Sequence, residues 1–191
     1  MHTLFYILVS VFFVSLISLI GVVSFIVKER FLNKSLFFIV AFSAGALLGG
    51  AFLHLIPEAL ENGGSQSVFL SVLLGFLLFF ILEKYLYWRH CHNGICDVHA
   101  FTYLNLVGDS VHNFIDGIVI AVSFSFSFKV GIITTLAVIF HEIPQELGDF
   151  AVLVYGGFSK KKALFCNFLV ALTAFGGAIL GYFLSERVLS F

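Results

Sequence analysis

The sequence predicts an all-α, polytopic transmembrane bundle, on three observations: composition, the length of the apolar runs, and the polar residues set inside two of them. Of 191 residues, 60% are hydrophobic, 17% aromatic and only 11% charged, and the mean hydropathy is +1.08. These values lie far from those of soluble domains. About 20 apolar residues cross a hydrocarbon core about 30 Å thick as a helix, and six such spans are predicted, at about 4–27, 36–60, 68–88, 102–127, 131–156 and 163–185. Together they form a single transmembrane domain over 1–191, with the lipid bilayer as its surroundings. The 10 Lys and Arg against 11 Asp and Glu leave a formal charge of -1. No basic face is available for nucleic acid, which is excluded as a partner.

Each span ends at a break in hydropathy: Lys28 to Lys34, Glu61 to Ser67 with Gly63 and Gly64, Arg89 to His99, Ser127 to Lys129, and Ser159 to Lys162. The first span lacks the positively charged start and A-x-A pattern of a cleaved signal, so it is expected to be a retained helix. The second carries Ala41, Gly45 and Gly49 at intervals of four, and the sixth carries Gly177 and Gly181. In lipid, small residues at this spacing let helix backbones approach closely. Lys28, Arg30, Lys34, Lys84, Arg89, Lys160, Lys161 and Lys162 fall at alternate junctions, and only Lys129 and Arg187 fall on the other side. Because positive charge stays cytoplasmic during insertion, the N-terminus is expected outside, in a cell-membrane protein.

The fourth and fifth spans hold the polar residues. Asp109, His112 and Asp116 follow one another at helical spacings of three and four, so they share a face. In the fifth span His141, Gln145 and Asp149 form one stripe, and Glu142, Glu146 and Asp149 an adjoining one. Five of the eleven acidic residues lie in these two spans, with no Lys or Arg within either helix core to neutralise them. A charge at mid-bilayer costs at least about 2.5 kcal/mol on insertion scales. The compensating charge must therefore come from protons, from a divalent cation or from a water-filled path. Imidazole beside carboxylate and amide oxygen suits Zn²⁺, Fe²⁺ or Mn²⁺; a polar network that only locks helices together is the alternative. Pro144 cannot donate to the carbonyl of Phe140, which frees a backbone oxygen next to the cluster.

At these residues the chain resembles the ZIP (Zrt-, Irt-like protein) metal transporters. Their fourth helix carries H-N-x-x-D/E-G, here His112-Asn113-Phe-Ile-Asp116-Gly117, and their fifth H-E-x-P-x-E, here His141-Glu142-Ile-Pro144-Gln145-Glu146. Gly45 to Gly49, His54 to Glu58 and the glycine-rich sixth span extend the resemblance over most of the chain. The resemblance implies transport of a divalent metal, zinc first and Fe²⁺, Mn²⁺ or Cd²⁺ as alternatives, with no organic cofactor, no enzymatic activity and assembly as a homodimer. It implies a binuclear site midway across the membrane. His112, Asp116, His141 and Gln145 would line one position; Asn113 and Glu142, sharing Asp116 or Gln145, would line the other. Where this chain has Gln145 the family often has His or Glu, so one ligand is weakened. The family has eight helices, and the expectation here is that the last two are absent.

Further candidates surround that core. Glu146, Asp109, Asp149 and Asn167 are possible additional metal or proton sites, with Cys166 beside Asn167 either a ligand or a packing residue. His54 and Glu58, one turn apart, could form an entrance station. His90, Cys91, His92, Cys96 and His99 put soft donors in the loop at 89–101, on the side expected to be cytoplasmic. Cys91 and Cys96 are not expected to form a disulfide there. Two other classes are weighed. A metalloprotease needs H-E-x-x-H, where this chain has Gln145 in place of the second His and Pro144 inside the motif. A metal-sensing or partner protein that does not transport is the other.

Overall fold

The computed structural model describes residues 2–25, 37–38, 40–42, 44–45, 48–62, 64–90 and 98–189, with the side chains of 23–25, 54–55, 62, 86, 88–90 and 186–189 left out. All regular structure among them is helical. α1 (His2–Leu16) continues as a 3₁₀ stretch, Ile17–Phe25, and a short π-type turn, Ala51–Leu55, leads into α2 (Ile56–Asn62). There follow α3 (Ser65–His90), α4 (Ala100–Phe126), α5 (Phe128–Tyr155), α6 (Lys160–Ala171) and α7 (Thr173–Leu189). The all-α prediction holds.

Four helical stretches among the described residues are long and apolar enough to cross a membrane: His2–Val22, Ser65–Tyr85, Ala100–Phe126, and Lys160–Ser185 across α6 and α7. That is fewer than the six spans expected. The second span lies partly outside the described residues. The fifth, α5, has ample length at 28 residues, but His141, Glu142, Gln145, Glu146 and Asp149 lower its hydropathy. Of these, His141 and Glu142 face α4.

α4 is the central helix, packed along α7 and against α5, with α1 lying across all three. The α4–α7 contact is made backbone to backbone. A Cβ at Gly117 would overlap the carbonyl oxygen of Ala174, and one at Gly177 would overlap the carbonyl oxygen of Phe114. Gly181 sits on Ile118 and Ala121 in the same seam. Gly177 and Gly181 thus occupy the close contact that their spacing predicts. A Cβ at Gly45 or Gly49 would meet nothing within 4 Å among the described residues.

Two apolar clusters bracket the middle of the bundle. One joins Ile7, Val11 and Val14 of α1 to Ile120, Ala121 and Phe124 of α4, Val138 of α5, and Ala174 and Ala178 of α7. The other joins Phe150 and Leu153 of α5 to Phe158 and Ala163, with Tyr103 and Leu106 of α4 against it. Between them, positions 109–116 of α4 and 141–149 of α5 form a polar band. α3 contrasts with this: none of its most apolar stretch is buried inside the chain, so Phe69, Phe76 and Ile81 face outward, as lipid contact requires.

The far ends of α4 and α5 are tied together. The His99 N–H donates to the Gly156 carbonyl at 2.9 Å, and the Thr102 hydroxyl donates to the same oxygen at 3.3 Å. α5 ends in a Schellman turn: Phe158 N–H reaches Leu153 O at 3.0 Å and Gly157 N–H reaches Val154 O at 3.2 Å, with Gly157 at φ 107°. A side chain there is strained by about 1 kcal/mol or more. Gly157→Val is therefore expected to lower the thermal unfolding midpoint in detergent, and an unchanged midpoint would show that this turn adds nothing to stability.

Candidate metal site

The middle of α4 faces the middle of α5, and each supplies one imidazole and one carboxylate to a common point. His112 Nε2 lies 3.0 Å from Glu142 Oε1 and 3.6 Å from Asp116 Oδ2. His141 Nε2 lies 3.0 Å from Asp116 Oδ2 and 3.5 Å from Glu142 Oε1. Nitrogen and oxygen thus alternate around a ring, and all four donor atoms fall within 4.8 Å of one another. The helical spacing of four puts His112 and Asp116 on one face of α4, while His141 and Glu142, as neighbours, lie about 100° apart on adjoining stripes of α5. Packing of α4 against α5 brings the pairs together. Glu142 and Asp116 are buried, at 1% and 7% exposure, while the two His side chains are more open, at 34% and 45%.

The geometry suits a small cation. Four donors about 2.0–2.1 Å from a tetrahedral Zn²⁺ are separated by about 3.3 Å, and the four N···O separations here run from 3.0 to 3.6 Å. The tautomer points the same way. His141 Nδ1 lies 3.2 Å from the Ala137 carbonyl, to which it can only donate, so a neutral ring turns the Nε2 lone pair toward Asp116 and Glu142. A lone pair facing two carboxylates is repulsive until a proton or a metal lies between them. The bond to Ala137 also fixes the ring orientation, as backbone carbonyls do for metal-binding imidazoles.

The remaining candidates fall into distinct places. Asn113 is fully buried, and its amide nitrogen donates to Asp109 Oδ1 at 2.7 Å and to the Asp109 carbonyl at 3.1 Å. Glu146 turns to α6, where the Asn167 amide donates to its carboxylate and to its backbone carbonyl. Cys166 is a half-buried free thiol packed against the second apolar cluster. Gln145 and His112 line a cavity of about 380 Å³, together with Asp109, Asp149, Asn105, Phe101, Val152 and Phe79. Asn105 was missed in the sequence, although it stands one turn before Asp109 on the same helical face. Asp109 Oδ2, Asn113 Oδ1, Glu142 Oε2, Asp149 Oδ2 and Asn167 Oδ1 are buried oxygens without a hydrogen-bond partner. Each costs about 1–3 kcal/mol when left so, and a cation satisfies several at once.

Glu58 is exposed on α2, and the His54 side chain lies outside the described residues. The His90 side chain and residues Cys91, His92 and Cys96 also lie outside them. His99 is exposed at the start of α4, where its ring stacks on Phe101 at 5.3 Å.

Comparison with known proteins identifies the family. The chain is 33% identical over 211 residues to zinc transporter zipt-7.1 of Caenorhabditis briggsae, covering 80% of this chain and 54% of that protein. It is 38% identical over 153 residues to zinc transporter ZIP13 of Pongo abelii, covering 73% of this chain and 46% of that one. With zinc transporter YKE4 of Saccharomyces cerevisiae it shares 34% identity over 177 residues, covering 81% and 51%. The chain spans about half the length of these relatives. No solved structure matches it. The profile of the ZIP zinc transporter family matches residues 1–97 and 88–190, nearly every residue present. With apolar membrane-length helices, an imidazole–carboxylate cluster where one of them meets α5, and this match along its length, the chain belongs to the ZIP zinc transporter family, an integral-membrane family of transporters and not of enzymes.

Proposed function

We propose that this chain moves a divalent transition metal, zinc first, across the membrane through the His112–Asp116–His141–Glu142 cluster. The observation that carries this reading is the convergence of the four donors within 4.8 Å at the middle of the bundle. A hydrated ion loses its water only where other ligands replace it, and two imidazoles with two carboxylates offer that replacement at a net charge matching the ion's. The exposure of the two His rings gives the ion a way in and out that a closed structural site would lack. Gln145, on the cavity wall beside His112, would complete the first position as a neutral and weaker ligand. A second position is proposed at Asn113 Oδ1 and Glu142 Oε2, both buried and unpartnered.

Movement toward the cytoplasm is the direction proposed, with the start of α4 on the cytoplasmic side, an orientation that the basic residues at alternate junctions favour. His54 and Glu58 would then meet the ion on the outer side. Uptake of radioactive zinc by proteoliposomes holding the purified chain tests the reading. Zinc accumulation above empty vesicles is expected; zinc binding without accumulation would establish the metal sensor instead. Glu142→Gln keeps the shape but removes a charge, and is expected to reduce uptake by roughly tenfold or more.

A further inference from the structure

We propose a second resting place for the cation, built from oxygen only, in the cavity between the His cluster and the end of the bundle where α4 begins and α5 ends. It rests on the transport reading above and deepens it. Asp109 and Asp149 are its ligands from the protein, with Asn105 and Gln145 beside them on the wall of the cavity of about 380 Å³. Asp109 and Asp149 are 5% and 6% exposed, and each keeps one carboxylate oxygen, Oδ2, without a partner. On Asp109 the other oxygen is held by the Asn113 amide at 2.7 Å, which fixes the carboxylate in place. Two carboxylates match the charge of one divalent ion, and among the described residues no Lys or Arg lines the cavity to neutralise them.

The position explains what the station would do. Asp109 is one turn before His112, and Asp149 lies seven residues beyond Glu142, about 10 Å along α5. His112 forms part of both the cluster and the cavity wall, so an ion passing between them never leaves a ligand's reach. The cavity exceeds the volume of one water, about 30 Å³, more than tenfold, so the ion would regain part of its water here. Oxygen donors and water hold a borderline metal more loosely than two imidazoles do. A looser station after a tighter one favours release.

Cadmium NMR of the purified full chain tests this, because nitrogen ligands move the cadmium resonance downfield of an oxygen-only environment. At saturating cadmium an oxygen-only resonance is expected beside that of the His cluster. It should vanish in the Asp109→Asn, Asp149→Asn double variant and survive Glu142→Gln. Loss of that resonance in Glu142→Gln, or its persistence in the double variant, overturns the station. If the double variant does not fold, the wild-type spectrum decides: absence of any oxygen-only resonance overturns the proposal. Failure of His112→Ala and His141→Ala to remove the downfield resonance instead sinks the transport site and leaves the station standing.

Discussion

Asp116→Ala is expected to abolish zinc uptake while the chain still inserts in the membrane. Asp116 Oδ2 lies 3.0 Å from His141 Nε2 and 3.6 Å from His112 Nε2, so it is the one α4 carboxylate that touches both rings. Its removal leaves two imidazoles and Glu142, and it deletes half of the negative charge that balances the ion. Loss of a group that merely supports a ligand lowers metal affinity about 10–100-fold, and loss of a ligand should cost at least that. His141→Ala should behave alike. A structural role would give another pattern: both variants would lower the unfolding midpoint without zinc and leave the uptake of surviving protein intact. Undiminished uptake in both variants would end the transport reading of this site.

Gly177→Leu is expected to cause the largest loss of stability in the chain. A Cβ at that position overlaps the Phe114 carbonyl, and Gly117 is the reciprocal point, against Ala174. Backbone cannot move aside as a flexible side chain can, so α4 and α7 must separate. Overpacking a core costs about 1–3 kcal/mol, and here separation would also loosen the packing of Ala174 and Ala178 against Ile120 and Ala121. Gly75→Leu on α3 offers the contrast, since a Cβ there meets nothing within 4 Å among the described residues. Thermal unfolding in detergent should show a drop for Gly177→Leu and little change for Gly75→Leu. Equal midpoints would mean that the α4–α7 seam does not hold the bundle together. Because α4 carries His112 and Asp116, the seam variant should also weaken metal binding.

The two effects meet on α4, whose sequence alternates between the needs of site and packing. Asp109, Asn113 and Asp116 are buried in the polar band, Gly117 and Ala121 approach α7, and Val111, Ile115 and Val119 are exposed on the outer side. Three faces at a period of 3.6 leave little of α4 free to vary.

The helical class and the polar stripes were legible because they are local. Apolar length follows from counting, and the shared faces of His112 with Asp116 and of Gln145 with His141 follow from spacing. Gly177 and Gly181 could be read for the same reason. The partner chosen by each polar side chain could not, because it depends on rotations of helices about their own axes, set by contacts far apart in sequence. Asn113 sits beside His112 in the motif, yet its amide turns to Asp109. Glu146 sits one turn from Glu142, yet it pairs with Asn167 on α6. Asn105 gained meaning only when the cavity put it with Asp149.

The sequence by itself determined that this protein is a helical membrane bundle with cation-binding side chains on two successive helices, because composition and periodicity are properties of a single segment. Tertiary structure alone decided that His112 meets Glu142, that His141 meets Asp116, and that the other acids divide between a cavity and an interhelical bond. Those pairings depend on how α4 meets α5, through the apolar clusters above and below the polar band, and on how closely it meets α7, where Gly117 and Gly177 let the backbones touch.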